Sequence, residues 1–134
     1  IQDSPFAQTQ CPDLILSEHS TWKRIYLHRM KHSEICIAST GLHQSSGWKI
    51  AEYLAAGRAI VSEPLCYEVP GPFQAGENYL TYTSADGCIE QIRTLLAHPE
   101  QILQMGQRNR AYYDEWLRPD QIVTKALEQA KILL

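Results

Sequence analysis

The chain has 134 residues, of which 44% are hydrophobic and 20% charged, with a formal net charge of −3. That length suits one domain with its own core, and the composition excludes an intrinsically disordered chain. The acidic balance argues against a general nucleic-acid binder, and no apolar run nears the ~20 residues that cross a bilayer.

The chain opens on Ile1 rather than on a methionine and shows no basic-then-apolar leader, so it is read as trimmed, processed or a fragment, and its cysteine usage points to a cytoplasmic location. Cys11, Cys36, Cys66 and Cys88 are too widely spaced for a C-x-x-C pair. They read as reduced thiols, Cys36 and Cys88 as small buried hydrophobes. No cluster has metal-ligand spacing, so the metal expectation is none.

In chain order, residues 12–16 (Pro-Asp-Leu-Ile-Leu) predict a short strand. Residues 20–31 predict a helix, with Trp22, Ile25, Tyr26 and Met30 at helical spacing and Lys23, Arg24, Arg29 and Lys31 outside. The run Glu34-Ile35-Cys36-Ile37-Ala38 is too short for a helix and fits a parallel strand covered on both faces. A polar loop over 39–46 leads into a helix over 47–56, which Gly57 stops in a left-handed C′ position. Residues 58–62 predict a buried strand, and the following loop, with Pro64, Pro70 and Pro72, is too proline-rich for regular structure. A strand over 78–83 comes next, then a helix capped by Ser84 and running to Ala97. Pro99 opens another helix, Pro119 breaks it, and a last helix covers 121–133. Alternating strands and helices of these lengths predict an α/β fold: a Rossmann-like βαβ parallel sheet of about four strands, with several C-terminal helices. The whole of 1–134 reads as a single, truncated domain.

In such sheets ligands collect beyond the carboxyl ends of the strands. The loop over 39–47 is long for a strand-to-helix connection and rich in small residues. It would aim helix amides at an anion, or else be a surface loop with Ser46 merely capping the helix. Lys49, in the first helical turn, opposes the helix dipole unless an anion or Glu52 offsets it. Glu52 in turn either accepts hydrogen bonds from sugar hydroxyls or pairs with Lys49. His43 in the loop and His28 on the basic helix read mainly as solvated. Glu63 and Glu68 are a speculative carboxylate pair. Tyr112, Tyr113 and Trp116 could stack a sugar, though their helical spacing favours a core or an interface.

The segment Gly47-Trp48-Lys49-Ile50-Ala51-Glu52-Tyr53-Leu54-Ala55-Ala56-Gly57-Arg58-Ala59-Ile60-Val61-Ser62 resembles the donor-site helix of GT-B fold glycosyltransferases. Their pattern there is Glu-Ala-Met-Ala-x-Gly-x-Pro-Val-Val. Gly76-Glu77-Asn78-Tyr79-Leu80 resembles the family's Gly-Glu-Asn-Gly turn. Ser84-Ala85-Asp86 and Leu95-Leu96-Ala97-His98-Pro99-Glu100 are similar to its x-Asp…Leu-Leu-x-x-Pro-Glu stretch. Tyr112-Tyr113 and Pro119 resemble the closing helices of a subgroup that includes spore-coat-type (group 1-like) enzymes.

The resemblance implies the C-terminal lobe of a glycosyltransferase that takes a nucleotide-diphosphate sugar as substrate, with no separate cofactor, and serves polysaccharide biosynthesis. It implies that Glu52 holds the donor ribose and that the loop with Gly41, Gln44, Ser46 and Gly47 holds phosphate or sugar. Lys49 adds charge by its position. One departure is that Gln44 stands where the retaining branch carries a second glutamate, with seven residues between it and Glu52. Glutamine can hydrogen-bond a sugar hydroxyl but is no carboxylate. Catalytic residues are therefore unassigned, and the chain alone is expected to be inactive. The expected partners are the nucleotide sugar and the missing N-terminal acceptor lobe. A homodimer or a peripheral membrane contact through the missing part is a further expectation, and no nucleic acid is expected. The alternative is a non-catalytic Rossmann-like module that kept the fold for assembly.

Overall fold

The computed structural model describes residues 4–132, and the chain divides into two compact units between His32 and Ser33. The first carries helix α1 (Pro5–Gln10), two single 3-10 turns (Pro12–Leu14 and Glu18–Thr21) and helix α2 (Lys23–His32). The Ser4 hydroxyl accepts from the Ala7 amide and so caps α1.

The strand expected over 12–16 is not formed. Pro12 takes the first position of a 3-10 turn instead, which its fixed φ and missing N–H favour. Helix α2 begins at Lys23 rather than near residue 20, because the Ser17 carbonyl already holds the Ser20 amide in the preceding tight turn.

The second unit is α/β and Rossmann-like. Strands β1 (Ile35–Ala38), β2 (Ala59–Ser62) and β3 (Leu80–Thr81) form a parallel sheet in the order β1-β2-β3. Helices α3 (Gly47–Ala55), α4 (Ala85–Ala97), α5 (Pro99–Tyr112) and α6 (Pro119–Ile132) complete it, with one π-helical segment, Tyr113–Leu117, between α5 and α6. The sheet thus has three strands among the described residues, not about four. The strand expected over 78–83 is only two residues long, because Asn78 is committed to a turn around Gln74. Pro119 opens α6 rather than merely ending its predecessor, and the expected reach to Leu133 lies outside the described residues.

All four residues of the central strand β2 are buried, as a strand flanked on both sides requires. Ala59 and Val61 pack with Leu95 of α4 and Met105 of α5. Burying a side chain such as Leu95 completely contributes about 2 kcal/mol. The outer strand β1 departs from expectation: Ile37 is 47% exposed, so only the face of Cys36 and Ala38 is covered. On the side of β1 away from β2, the Ile37 carbonyl accepts the Tyr53 hydroxyl at 3.2 Å.

The lower ends of the strands are closed tightly. Gly57, at φ +61°, gives α3 a left-handed stop, with Gly57 N–H donating to Leu54 and Arg58 N–H to Tyr53. Helix α5 passes so near that a Cβ on Gly106 would stand 2.6 Å from the Gly57 oxygen. Beside this contact lie two fully buried amides. The Asn109 side chain donates to the Arg58 and Asn78 carbonyls at 2.8 and 2.9 Å and accepts from the Asn78 side chain at 3.1 Å. Satisfied in this way, the pair ties α5 to both neighbouring strand entries.

Candidate functional site

At the opposite ends of the strands, β1 hands over to α3 through the loop of residues 39–46. Inside it the Gly41 amide donates to the Ser45 carbonyl at 2.8 Å, and the Gln44 amide to the Gly41 carbonyl at 3.0 Å. His43 and Gln44 both take left-handed backbone angles, φ 55° and 61°, which cost a non-glycine residue about 1–2 kcal/mol each. Gly47 follows at φ +65° as the first residue of α3. Ser46 is at the cap position, but its backbone is helical and its hydroxyl makes no capping bond, so the capping role read for it is not formed. The opening amides of α3 therefore have no side-chain oxygen on them, which is the arrangement that suits an anion.

The six residues singled out for donor binding occupy one connection. Gly41, Gln44 and Gly47 are exposed along the loop, Ser46 is half-buried, and Lys49 is exposed on the first turn of α3. Glu52 lies one turn deeper and is half-buried, on a different face from the buried Ile50 and Leu54. Ser46 and Gly47 also roof a small cavity of about 130 Å3, whose walls include Ile50, Leu54, Leu65 and Val69. Leu42 and Trp48, 81% and 89% exposed, add an apolar rim.

The loop after β2 supports this connection. Glu63 directs one carboxylate oxygen at Thr40, accepting its amide at 2.7 Å and its hydroxyl at 2.6 Å. Those two bonds hold the Glu63 carboxyl below its usual range. Further on, the Tyr67 hydroxyl donates to the His43 carbonyl at 3.0 Å. Neither tether was legible as a pair in the sequence, because residues 23 or 24 positions apart meet only through the parallel pairing of β1 with β2.

The carboxylate pair and the stacking ring are corrected, and the remaining candidates find places of their own. Glu63 is engaged with Thr40, while Glu68 lines a separate hollow with Leu65, Tyr67 and Val69, so no carboxylate pair forms between them. Tyr112 is buried and donates its hydroxyl to the Pro70 carbonyl, which removes it as a sugar-stacking ring. Trp116 lies against Gly71 and under the Lys125 ammonium, 4.0 Å from its ring centre. His43 contributes its backbone, and His28 stacks on His32 within α2. All four cysteines are free thiols, and burial pushes the Cys36 thiol up to about 11. Among the described residues no His/Cys/Asp/Glu group could hold a metal, and no helix is long and apolar enough to cross a membrane.

A larger groove of about 700 Å3 opens at the lower end, between Arg58, Ile102, Leu103 and Arg110. Its Arg110 is already held by both oxygens of Asp114 and by the Ala55 carbonyl. Arg58 is likewise engaged, donating to the Ala56 and Ser33 carbonyls, so both cations of the groove already have partners within the chain.

A parallel sheet with helices packed against it defines an α/β domain of Rossmann-like architecture. The profile of one family, described as glycosyl transferase-like, matches residues 13–128. The chain belongs to that family, and its architecture is consistent with the C-terminal lobe of a GT-B glycosyltransferase. Comparison with curated proteins and with solved structures gives no significant match.

Proposed function

We propose that the chain is the donor-binding domain of a glycosyltransferase, one that takes a nucleotide-diphosphate sugar and whose acceptor is bound by a separate lobe. Family membership supplies the general role in glycosyl transfer. The observation that carries the finer reading is the uncapped start of α3 at Ser46 and Gly47, with Lys49 on its first turn and Glu52 one turn deeper. The amides and Lys49 take the diphosphate, and Glu52 accepts hydrogen bonds from the ribose hydroxyls. In transfer, this end of the sheet holds the donor in place and stabilises the departing diphosphate with fixed dipoles and one cation. Gln44 contributes an amide where a carboxylate would otherwise interact with the sugar, and it favours a second reading, an assembly module that binds nucleotide weakly.

Titration calorimetry with nucleoside diphosphates and their sugars tests this directly. Binding is expected for the wild type, with affinity about tenfold lower in Glu52→Ala, the loss of one charge-assisted hydrogen-bonding group. Thermal unfolding of the same variant separates any loss of folded protein from loss of affinity. No heat with any nucleoside diphosphate removes the donor reading, and unchanged affinity in Glu52→Ala removes the ribose role.

A further inference from the structure

The connection that carries the proposed donor site is held only in part by its own hydrogen bonds, Gly41 to Ser45 and Gln44 to Gly41. It is exposed along most of its length, and it includes two consecutive non-glycine residues in left-handed conformation. Such a segment keeps one shape only if its surroundings impose it. Two contacts from outside do so, and both come from the loop after β2. Glu63 fixes Thr40 at the mouth of the connection through two bonds to one oxygen. Tyr67 fixes the carbonyl of His43, the first of the two left-handed residues, and so acts on the peptide that joins them.

The loop that supplies these groups is itself stiff and anchored. Pro64 follows Glu63 directly, and Pro70 and Pro72 limit the backbone further on. The Tyr112 hydroxyl holds the Pro70 carbonyl from the buried face of α5. Phe73 stacks on Tyr79 with ring centres 5.3 Å apart and tilts against Tyr112 at 5.0 Å. Gly71 runs so close to the Trp116 ring that a Cβ there would stand 2.2 Å from it. Position therefore passes from α5 and the π-helical segment, through the proline-rich loop, to the connection between β1 and α3.

We infer that Glu63 and Tyr67 are positioning residues, which hold residues 40–47 in their ligand-ready shape before any ligand arrives. Resting on the donor reading above, this makes them set the affinity for a nucleoside diphosphate without touching it. The ordering of the loop is completed in the folded protein rather than at binding, and that is how a preformed site gains affinity.

Two measurements on the 134-residue chain separate this inference from the donor reading. The first is amide hydrogen exchange without ligand. Glu63→Ala is expected to speed exchange of the amides of residues 40–45 about tenfold or more, with α4 and α5 unchanged, because only local opening is affected. Tyr67→Phe keeps the ring, loses the bond, and should speed the amides around Gln44 less. Thr40→Ser keeps both donors and should match the wild type, whereas Thr40→Val loses one. If Glu63→Ala leaves exchange in the loop unchanged, or speeds it equally throughout α4 and α5, the inference is overturned.

The second is calorimetry with a nucleoside diphosphate. Affinity is expected to fall about tenfold in Glu63→Ala and about threefold in Tyr67→Phe, and to stay at the wild-type value in Thr40→Ser. Combining Glu63→Ala with Thr40→Val should weaken binding by less than the product of the two single effects, since both remove the same contact. Faster exchange with unaltered affinity overturns the positioning role. A wild type that binds no nucleoside diphosphate, with loop exchange accelerated in Glu63→Ala, overturns the donor reading and leaves Glu63 and Tyr67 as the groups that hold the loop.

Discussion

The two ends of the sheet are built on different terms. At the lower end, where strands begin, the chain turns through a single glycine at Gly57, α5 rests on that turn through Gly106, and the buried Asn78–Asn109 pair ties strand entries to the helix. Both side-chain amides of that pair find partners inside the protein. At the upper end, where strands finish, the connections are long, and side chains exposed or half-buried in solvent hold them. The difference lies in what fixes each end: backbone packed against backbone and buried amides below, and a loop held by a few side-chain hydrogen bonds above.

Substitutions at each end should break or sharpen that contrast. The largest effect is expected from Asn109→Ala, which deletes a fully buried amide and leaves the Asn78 side chain and two carbonyls unsatisfied. A loss of about 2–4 kcal/mol in urea unfolding is expected. If unfolding is unaltered, the lower end is not the stable one. At the upper end, Ser84 caps α4 through its hydroxyl and the Gly87 amide. Ser84→Ala should cost about 1 kcal/mol in the same measurement, with no change at the lower end.

The smallest effect on global stability is expected from protonating Glu63. Its folded-state value is depressed below the ordinary 4.5 by the Thr40 hydroxyl and amide. The stabilisation is therefore fully present above that value, and is lost as pH falls through the depressed one. A carboxyl carbon titration by NMR should show Glu63 with its midpoint below 4.5 and Thr40 shifting with it. A midpoint at or above 4.5 would mean that the tether is absent in solution.

Much of the second unit was legible because its signals are local. The apolar run at Ile35–Ala38 gives β1, the glycine after α3 gives its left-handed stop, and Ser84 gives the start of α4. Residues 12–16 misled because apolar character alone cannot separate a strand from a 3-10 turn, and Pro12 decides for the turn. The third strand shrank because Asn78 serves the buried amide pair, a contact with Asn109 that sequence distance hides. The candidate site divides along the same line. Its helix and loop were visible as one stretch, while Thr40, Glu63 and Tyr67 become partners only once β1 and β2 are side by side.

The Tyr53 hydroxyl on the Ile37 carbonyl has a consequence for how the molecule behaves in company. The ladder bonds of β1 to β2 run from Glu34 and Ala38, so the Ile37 oxygen faces outward, where an incoming strand would dock. Tyr53 occupies that acceptor from a helix position that is only 6% exposed, so displacing it disturbs the packing of α3. A four-residue strand with one of its two outward acceptors already taken is a poorer template for edge-to-edge aggregation, even with Ile37 bare beside it.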